Sequence, residues 1–151
     1  MYQLRPATAD DAEAIAEVYL ASRRAFLPYA PLMHTDDEVR QWLRELVIPV
    51  FDVTVATLCD AVVGMMVLSR DGEAGWIDQL YLHPEHVGQG LGTLLLDRAK
   101  SILGAPIRLY SFARNHDAQR FYERNGFTAL SHGDGSGNEE HCPDTLFEWL
   151  A

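Results

Sequence analysis

The stretch from residue 76 to residue 103 narrows the choice of fold more than any other part of the chain. Residues 76–82 are rich in β-formers, His83-Pro84 marks a turn, and Val87-Gly88-Gln89-Gly90-Leu91-Gly92 places three glycines in six residues. Apolar residues then recur with helical spacing from about Leu91 to Leu103. A strand that enters a helix through a glycine loop brings bare backbone N–H groups to a helix start, which makes an anion cradle. Two nucleotide loops of this general kind are excluded by their spacing. A Walker A loop ends in Gly-Lys-Ser/Thr, whereas this one ends in Gly92-Thr93 with no lysine. A Rossmann fingerprint would need glycine at position 93 and a place in an early βαβ unit.

The surroundings of this unit read as mixed α/β. Residues 4–8 form a short first strand, and Thr8, Asp10 and Asp11 offer N-caps for a helix carrying Ala14, Ile15, Val18 and Tyr19. Residues 26–33 hold two prolines and read as a loop. Thr35 and Glu38 then have capping-box spacing for a second helix with Val39, Trp42, Leu43 and Leu46 on its apolar side. Runs 51–58, 61–68 and 76–82, broken at Cys59-Asp60 and Asp71-Gly72, make an antiparallel meander. After the glycine loop and its helix come a strand at 107–112 and a helix at 117–124, stopped by Asn125-Gly126. Strands at 127–130 and 145–150 close the chain around a polar, glycine-rich loop, 133–144. The 151 residues show no repeat and no linker, so the expectation is one domain, 1–151, around one core.

Composition removes several partners. The formal net charge is -10, with acidic residues scattered along the chain, so no basic face is present to neutralise phosphates and nucleic acid is not an expected partner. No apolar run is long enough to span a bilayer, and the first residues have neither a basic nor an apolar leader pattern. Cys59 and Cys142 have no disulfide or metal spacing, and the expected setting is cytoplasmic and reducing. His132, Asp134, His141 and Cys142 match no standard metal site, so no metal is expected.

With the glycine loop stands a second motif, Asn115-x-x-Ala118-x-x-Phe121-Tyr122-x-x-x-Gly126-Phe127, which puts Ala118, Phe121 and Tyr122 on one helical face. Together with Leu4-Arg5-Pro6-Ala7-Thr8-x-x-Asp11-Ala12, these segments resemble the GNAT (Gcn5-related N-acetyltransferase) superfamily over nearly the whole chain. The family's loop runs Gln/Arg-x-x-Gly-x-Gly/Ala; Gly90 and Gly92 match its glycines, while Val87 stands where Gln or Arg is usual. The resemblance implies a central, mostly antiparallel sheet that splays between its fourth and fifth strands and is flanked by helices.

It also implies acetyl transfer from acetyl-CoA to a primary amine by direct attack in a ternary complex. The cofactor set so implied is the backbone of Leu80 and Leu82, the loop residues Val87, Gly88, Gln89, Gly90, Gly92 and Thr93, and Asn115. Tyr122 would be the general acid toward the departing thiolate. Asp78, two residues before Leu80, would be base or cation binder, because the family's usual glutamate positions hold Trp76 and Tyr110 here. Tyr29, with Phe26, Leu32 and Met33 and the 133–144 loop, would line the acceptor side. A noncatalytic CoA-binding or regulatory module of the same fold is the alternative, and homodimerisation is left open.

Overall fold

The computed structural model describes residues 1–151. Seven strands form one sheet: β1 (Gln3–Pro6), β2 (Asp52–Leu58), β3 (Ala61–Asp71), β4 (Ala74–Leu82), β5 (Ile107–Phe112), β6 (Phe127–Gly133) and β7 (Asp144–Trp149). Their order is β1-β2-β3-β4-β5-β7-β6, and every neighbouring pair is antiparallel except β4 and β5, which run parallel. The β2–β3 hairpin turns on Cys59 and Asp60, both with positive φ (51° and 68°), as a two-residue turn matched to strand twist requires.

Helix α1 (Ala12–Phe26) follows a short 3-10 turn at Ala9–Asp11. That entry is fixed by Asp11, whose carboxylate accepts from Arg5 at 2.8 and 2.9 Å and from the Thr8 N–H at 2.8 Å. The Arg5 hydrogen bond is the chief reason its pKa lies below the ordinary value. Helix α2 (Asp36–Trp42) begins with the expected box: the Glu38 N–H donates to Thr35 Oγ1 at 3.1 Å and the Thr35 N–H donates to Glu38 Oε1 at 2.8 Å. It continues through a π-helical stretch, Leu43–Val47, into the short α3 (Ile48–Val50). The wider turn buries Leu43 and Val47 and leaves Leu46 about half exposed, so Leu46 does not join the apolar side as its spacing suggests. Helices α4 (Leu91–Leu103) and α5 (His116–Arg124) complete the chain.

Alternation along the strands divides the apolar residues between two clusters in place of the single core expected. Val53, Val55, Met65 and Val67 meet Ile15, Tyr19, Val39 and Leu43 from α1, α2 and the π-helical stretch. Met66, Leu68, Ile77, Leu109 and Phe147 face the other way, onto Leu91, Leu95, Leu96 and Ala99 of α4 and Tyr122 of α5. The sheet is a partition with a helical layer and a core on each side.

Candidate active site

The parallel contact between β4 and β5 is short. Only Gly75–Ile107 and Trp76–Arg108 pair; β4 then continues to Leu82 and β5 to Phe112 without meeting. The gap opens into a cleft of ≈ 1430 Å³ bounded by the glycine loop, α5, the segment after α1 and the 133–138 loop.

The edge of β4 facing the gap is unpaired backbone. Tyr81 is paired with Met65 of β3, and the His83 N–H donates to Val63 O at 2.8 Å, so the peptide groups of Tyr81 and His83 point toward β3. Alternation turns those of Leu80 and Leu82 the opposite way, into the gap, while their side chains pack on the α4 core. At the end of the strand Gly88 and Gly90 take left-handed backbone, φ +74° and +85°, with open space where a Cβ would stand. Gly90 is the N-cap of α4, with no side-chain cap and no acidic residue in the first turn. The first intrahelical bond of this end is Leu94 N–H to Gly90 O at 3.2 Å. The donors of Gly92 and Thr93, on the cleft wall, therefore remain available to an anion, whereas Leu91 is fully buried.

The remaining loop residues divide by role. Gly92 is small for a packing reason as well: a Cβ there would stand 2.8 Å from the Phe121 ring. Val87 is 43% exposed at the cleft wall. The Gln89 side chain is used elsewhere, accepting from Tyr2 Oη at 2.8 Å and donating to Glu85 O at 3.1 Å, so it ties the loop to the N-terminal strand and makes no wall of the cleft. Asn115 caps α5 by accepting from the Ala118 N–H, and its residue also lines the cleft.

Tyr122 lies at the cleft floor, 9% exposed, among Phe121, Phe127 and Phe147 at centroid separations of 5.3, 5.8 and 5.9 Å. Burial drives its phenol pKa far above the ordinary tyrosine value, so it stays protonated, and its hydroxyl has no hydrogen-bond partner in the protein. Asp78 is displaced from simple alternation. Val67 pairs with Gln79 and Leu68 with Ile77, which leaves Asp78 as the extra residue of a β-bulge. It therefore does not share the Leu80 face, as a two-residue spacing implies, but is re-aimed at the cleft surface. Partial desolvation raises its carboxyl pKa, against a smaller opposing contact from Ser69.

Of the residues expected on the acceptor side, Phe26 and Tyr29 line the cleft; Leu32 lines a smaller neighbouring hollow and Met33 stands 58% exposed outside both. The 133–144 loop is ordered by its own contacts. Asn138 Nδ2 donates to Cys142 O at 2.8 Å, and Gly135, φ +94°, lies too close to the Cys142 backbone to carry a side chain. His132 Nδ1 meets Thr145 Oγ1, Asp134 accepts from the Ser136 N–H, and Cys142 Sγ contacts Tyr29 O and Glu140 O, so residues that invited a metal reading brace the loop.

Sequence reading missed a buried constellation behind this loop. Arg23, 7% exposed, donates to Ala30 O at 3.0 Å and Tyr81 Oη at 3.3 Å and stands 3.7 Å from Glu140. Burial opposes its charge, but Tyr81, Tyr19 and Glu140 outweigh that and hold its pKa up. His34 meets Glu139 at 3.1 Å in the same region. The signal was present: Ile15, Tyr19 and Arg23 recur every four residues, which puts an arginine in the apolar stripe of α1.

A sequence model of the acetyltransferase (GNAT) domain matches residues 49–129, from the end of α3 through the start of β6. The chain belongs to the GNAT acetyltransferase family. The splayed parallel step between β4 and β5 is the family's fold, as the solved structures confirm. PaiA N-acetyltransferase from Thermoplasma acidophilum, solved in complex with coenzyme A, is 20% identical with a TM-score of 0.79, covering 100% of this chain and 99% of its own. Apo YjaB from Escherichia coli has 21% identity and a TM-score of 0.79, with the same coverages. An acetyltransferase from Thermus thermophilus has 22% identity and a TM-score of 0.77, covering 98% and 96%. No curated protein matches the chain by sequence. No helix of this GNAT chain is long and apolar enough to cross a membrane.

Proposed function

We propose that the whole chain, 1–151, acts as one domain that transfers acetyl from acetyl-CoA to a primary amine through a ternary complex in the β4–β5 gap. One observation carries this reading: an unpaired strand edge leads through two open left-handed glycines to an uncapped helix N-terminus. That sequence of donors suits a ligand with amides at one end and phosphates at the other, which is the chemistry of coenzyme A. Acetyl-CoA supplies an activated acetyl thioester.

The backbone of Leu80 and Leu82 would pair the pantetheine amides, with Asn115 beside them. The N–H groups of Gly92 and Thr93, with the bare backbone at Gly88 and Gly90, would hold the diphosphate, and Arg120 and Arg124 line the same cleft. A β4 N–H near Leu82 is aimed to polarise a carbonyl in the gap. Tyr122 acts as donor toward the leaving sulfur. With its pKa raised this far, complete transfer to a thiolate near 8.5 is uphill, so the hydroxyl works by a strong hydrogen bond and the thiolate takes its proton from solvent. Asp78, at the re-aimed bulge, binds the incoming ammonium or accepts its proton. A purely regulatory CoA-binding module has no use for a tyrosine hydroxyl that meets the cleft floor without a protein partner, which favours the catalytic reading.

The test is turnover with acetyl-CoA and a mixture of primary amines, reading free thiol and the acetylated amine together. Thiol release above the amine-free blank, matched by acetylated amine, is expected. Absence of both across small amines and peptide amines would overturn the transfer reading.

A further inference from the structure

Trp76 of β4 and Tyr110 of β5 form an aromatic pair at the splay point, and Tyr110 lines the same cleft as Asp78. Trp76 occupies the last rung of β4–β5 pairing, opposite Arg108. Ile77 and Leu109 point into the α4 core, so Trp76 and Tyr110 face the opposite side of the sheet. Their rings stack at 5.7 Å and 21°. Tyr110 lines the cleft and is 61% exposed, an unusual state for a large ring on a strand directed into a concave site. Phe112, two residues further along β5 on the same face, meets Tyr29 edge-on at 6.3 Å. The wall is therefore aromatic from the splay point to the acceptor loop, with the Asp78 carboxylate across the opening on β4.

The charges around this wall select further. Arg108 is engaged by Glu148 at 2.9 Å, and Arg114 lies 4.5 Å over the Tyr29 ring. A fixed cation at the far end of the wall disfavours an acceptor with a second positive charge there, while Asp78 offers one carboxylate to one ammonium.

We infer that the acceptor is a primary monoamine carried on an aromatic body, its ring lying on Tyr110 and its ammonium facing Asp78. This rests on the transfer reading, and it names Tyr110 as the residue that sets acceptor choice. Burying a ring against an exposed one is worth enough to discriminate: area removed from water and the stacking contribution together amount to about tenfold or more in affinity.

The experiment compares 2-phenylethylamine, n-butylamine and spermidine as acceptors for the intact protein with acetyl-CoA. In parallel, 2-phenylethylamine is titrated calorimetrically into the CoA-loaded protein. The expected result is a kcat/KM for 2-phenylethylamine at least about tenfold above the other two. Tyr110→Ala should collapse that ratio toward one through KM, and Tyr110→Phe should restore it. Tyr110 is exposed, so neither variant threatens the fold, and melting curves verify that. Equal kcat/KM for the ringed and unringed amines, or a ratio indifferent to Tyr110→Ala, would overturn the proposal. If none of the three amines consumes acetyl-CoA, that failure belongs to the transfer reading, which the wider screen of small and peptide amines decides. The titration then decides: binding of 2-phenylethylamine lost in Tyr110→Ala upholds the ring site, and no binding to the wild type overturns it.

Discussion

The two halves of the cleft are built in different ways. The half formed by β4, the glycine loop and α4 is backbone: a strand edge, two left-handed glycines and two free donors at a helix start, all within residues 80–93. The half proposed for the acceptor is side chain, assembled from segments more than a hundred residues apart. Arg23 to Glu140, His34 to Glu139 and Cys142 to Tyr29 hold the 133–144 loop against α1 and the segment after it. A backbone site tolerates almost any side chain but not a changed φ; a side-chain site keeps its backbone and varies freely in what it recognises. One half can thus serve a constant cofactor while the other is rebuilt for a new acceptor.

That division can be broken most severely at Gly90. In Gly90→Val a β-branched side chain is forced to φ +85°, which displaces the donors of the helix start. CoA affinity, by calorimetry, should fall roughly 100-fold or more. Unchanged affinity would show the loop to be a mere connection. Next in size is Tyr122→Phe, which should lower kcat by about 10–100-fold, the worth of one hydrogen bond to developing charge, with CoA affinity nearly intact. An equal loss in affinity would make Tyr122 part of the binding half.

Glu140→Ala attacks the other half. It leaves the Arg23 guanidinium buried without its carboxylate, and the 3.7 Å separation puts the cost at the lower end for such pairs, roughly 1–3 kcal/mol. The melting temperature should drop by a few degrees and the acceptor KM should rise, while CoA affinity holds. Loss of CoA affinity would mean that the halves are coupled. Val87→Gln should sharpen the cofactor half, tightening CoA by about threefold to tenfold through one added hydrogen bond, since Val87 is exposed and its replacement meets no obstacle. A weaker complex would assign Val87 an apolar contact with the ligand.

The smallest effect belongs to Asp78→Asn, and its sign is set by the raised carboxyl pKa. A carboxyl whose folded pKa exceeds its unfolded value favours the fold only while protonated; that contribution is full below the unfolded pKa and is lost as pH rises through the folded one. The amide should therefore melt slightly higher than wild type at neutral pH, and the difference should vanish in acid. In turnover, if Asp78 takes the proton, the acid limb of the rate profile should move or disappear; if it only holds the ammonium, the acceptor KM should rise with kcat kept. Profiles identical to wild type would remove Asp78 from both roles.

The same division explains what the sequence made legible. Strand, glycine loop and helix were readable because their physics is local: spacing shows the period, and glycine shows the φ that other residues resist. The Thr35–Glu38 box and the Asn125-Gly126 stop were readable for that reason. The bulge that re-aims Asp78 was hidden, since it depends on which β3 residue faces Gln79. So was the use of Gln89, whose partner Tyr2 lies 87 residues away. The π-helical stretch that turns Leu46 outward is set by packing, and no residue type announces it. Glu140 read as one surface acid among several until the fold brought it to Arg23.

Amide hydrogen exchange with and without CoA tests the central claim most directly, because the claim concerns particular N–H groups. In the free protein the amides of Leu80 and Leu82 face the gap without a strand partner and should exchange quickly, unlike Tyr81, which is bonded to β3. Saturating CoA should slow Leu80, Leu82, Gly92 and Thr93 together, and leave Glu139 and Glu140 unchanged. Protection on the acceptor loop with none at Leu80, Leu82 and the α4 start would contradict the account and place the ligand in the other half of the cleft.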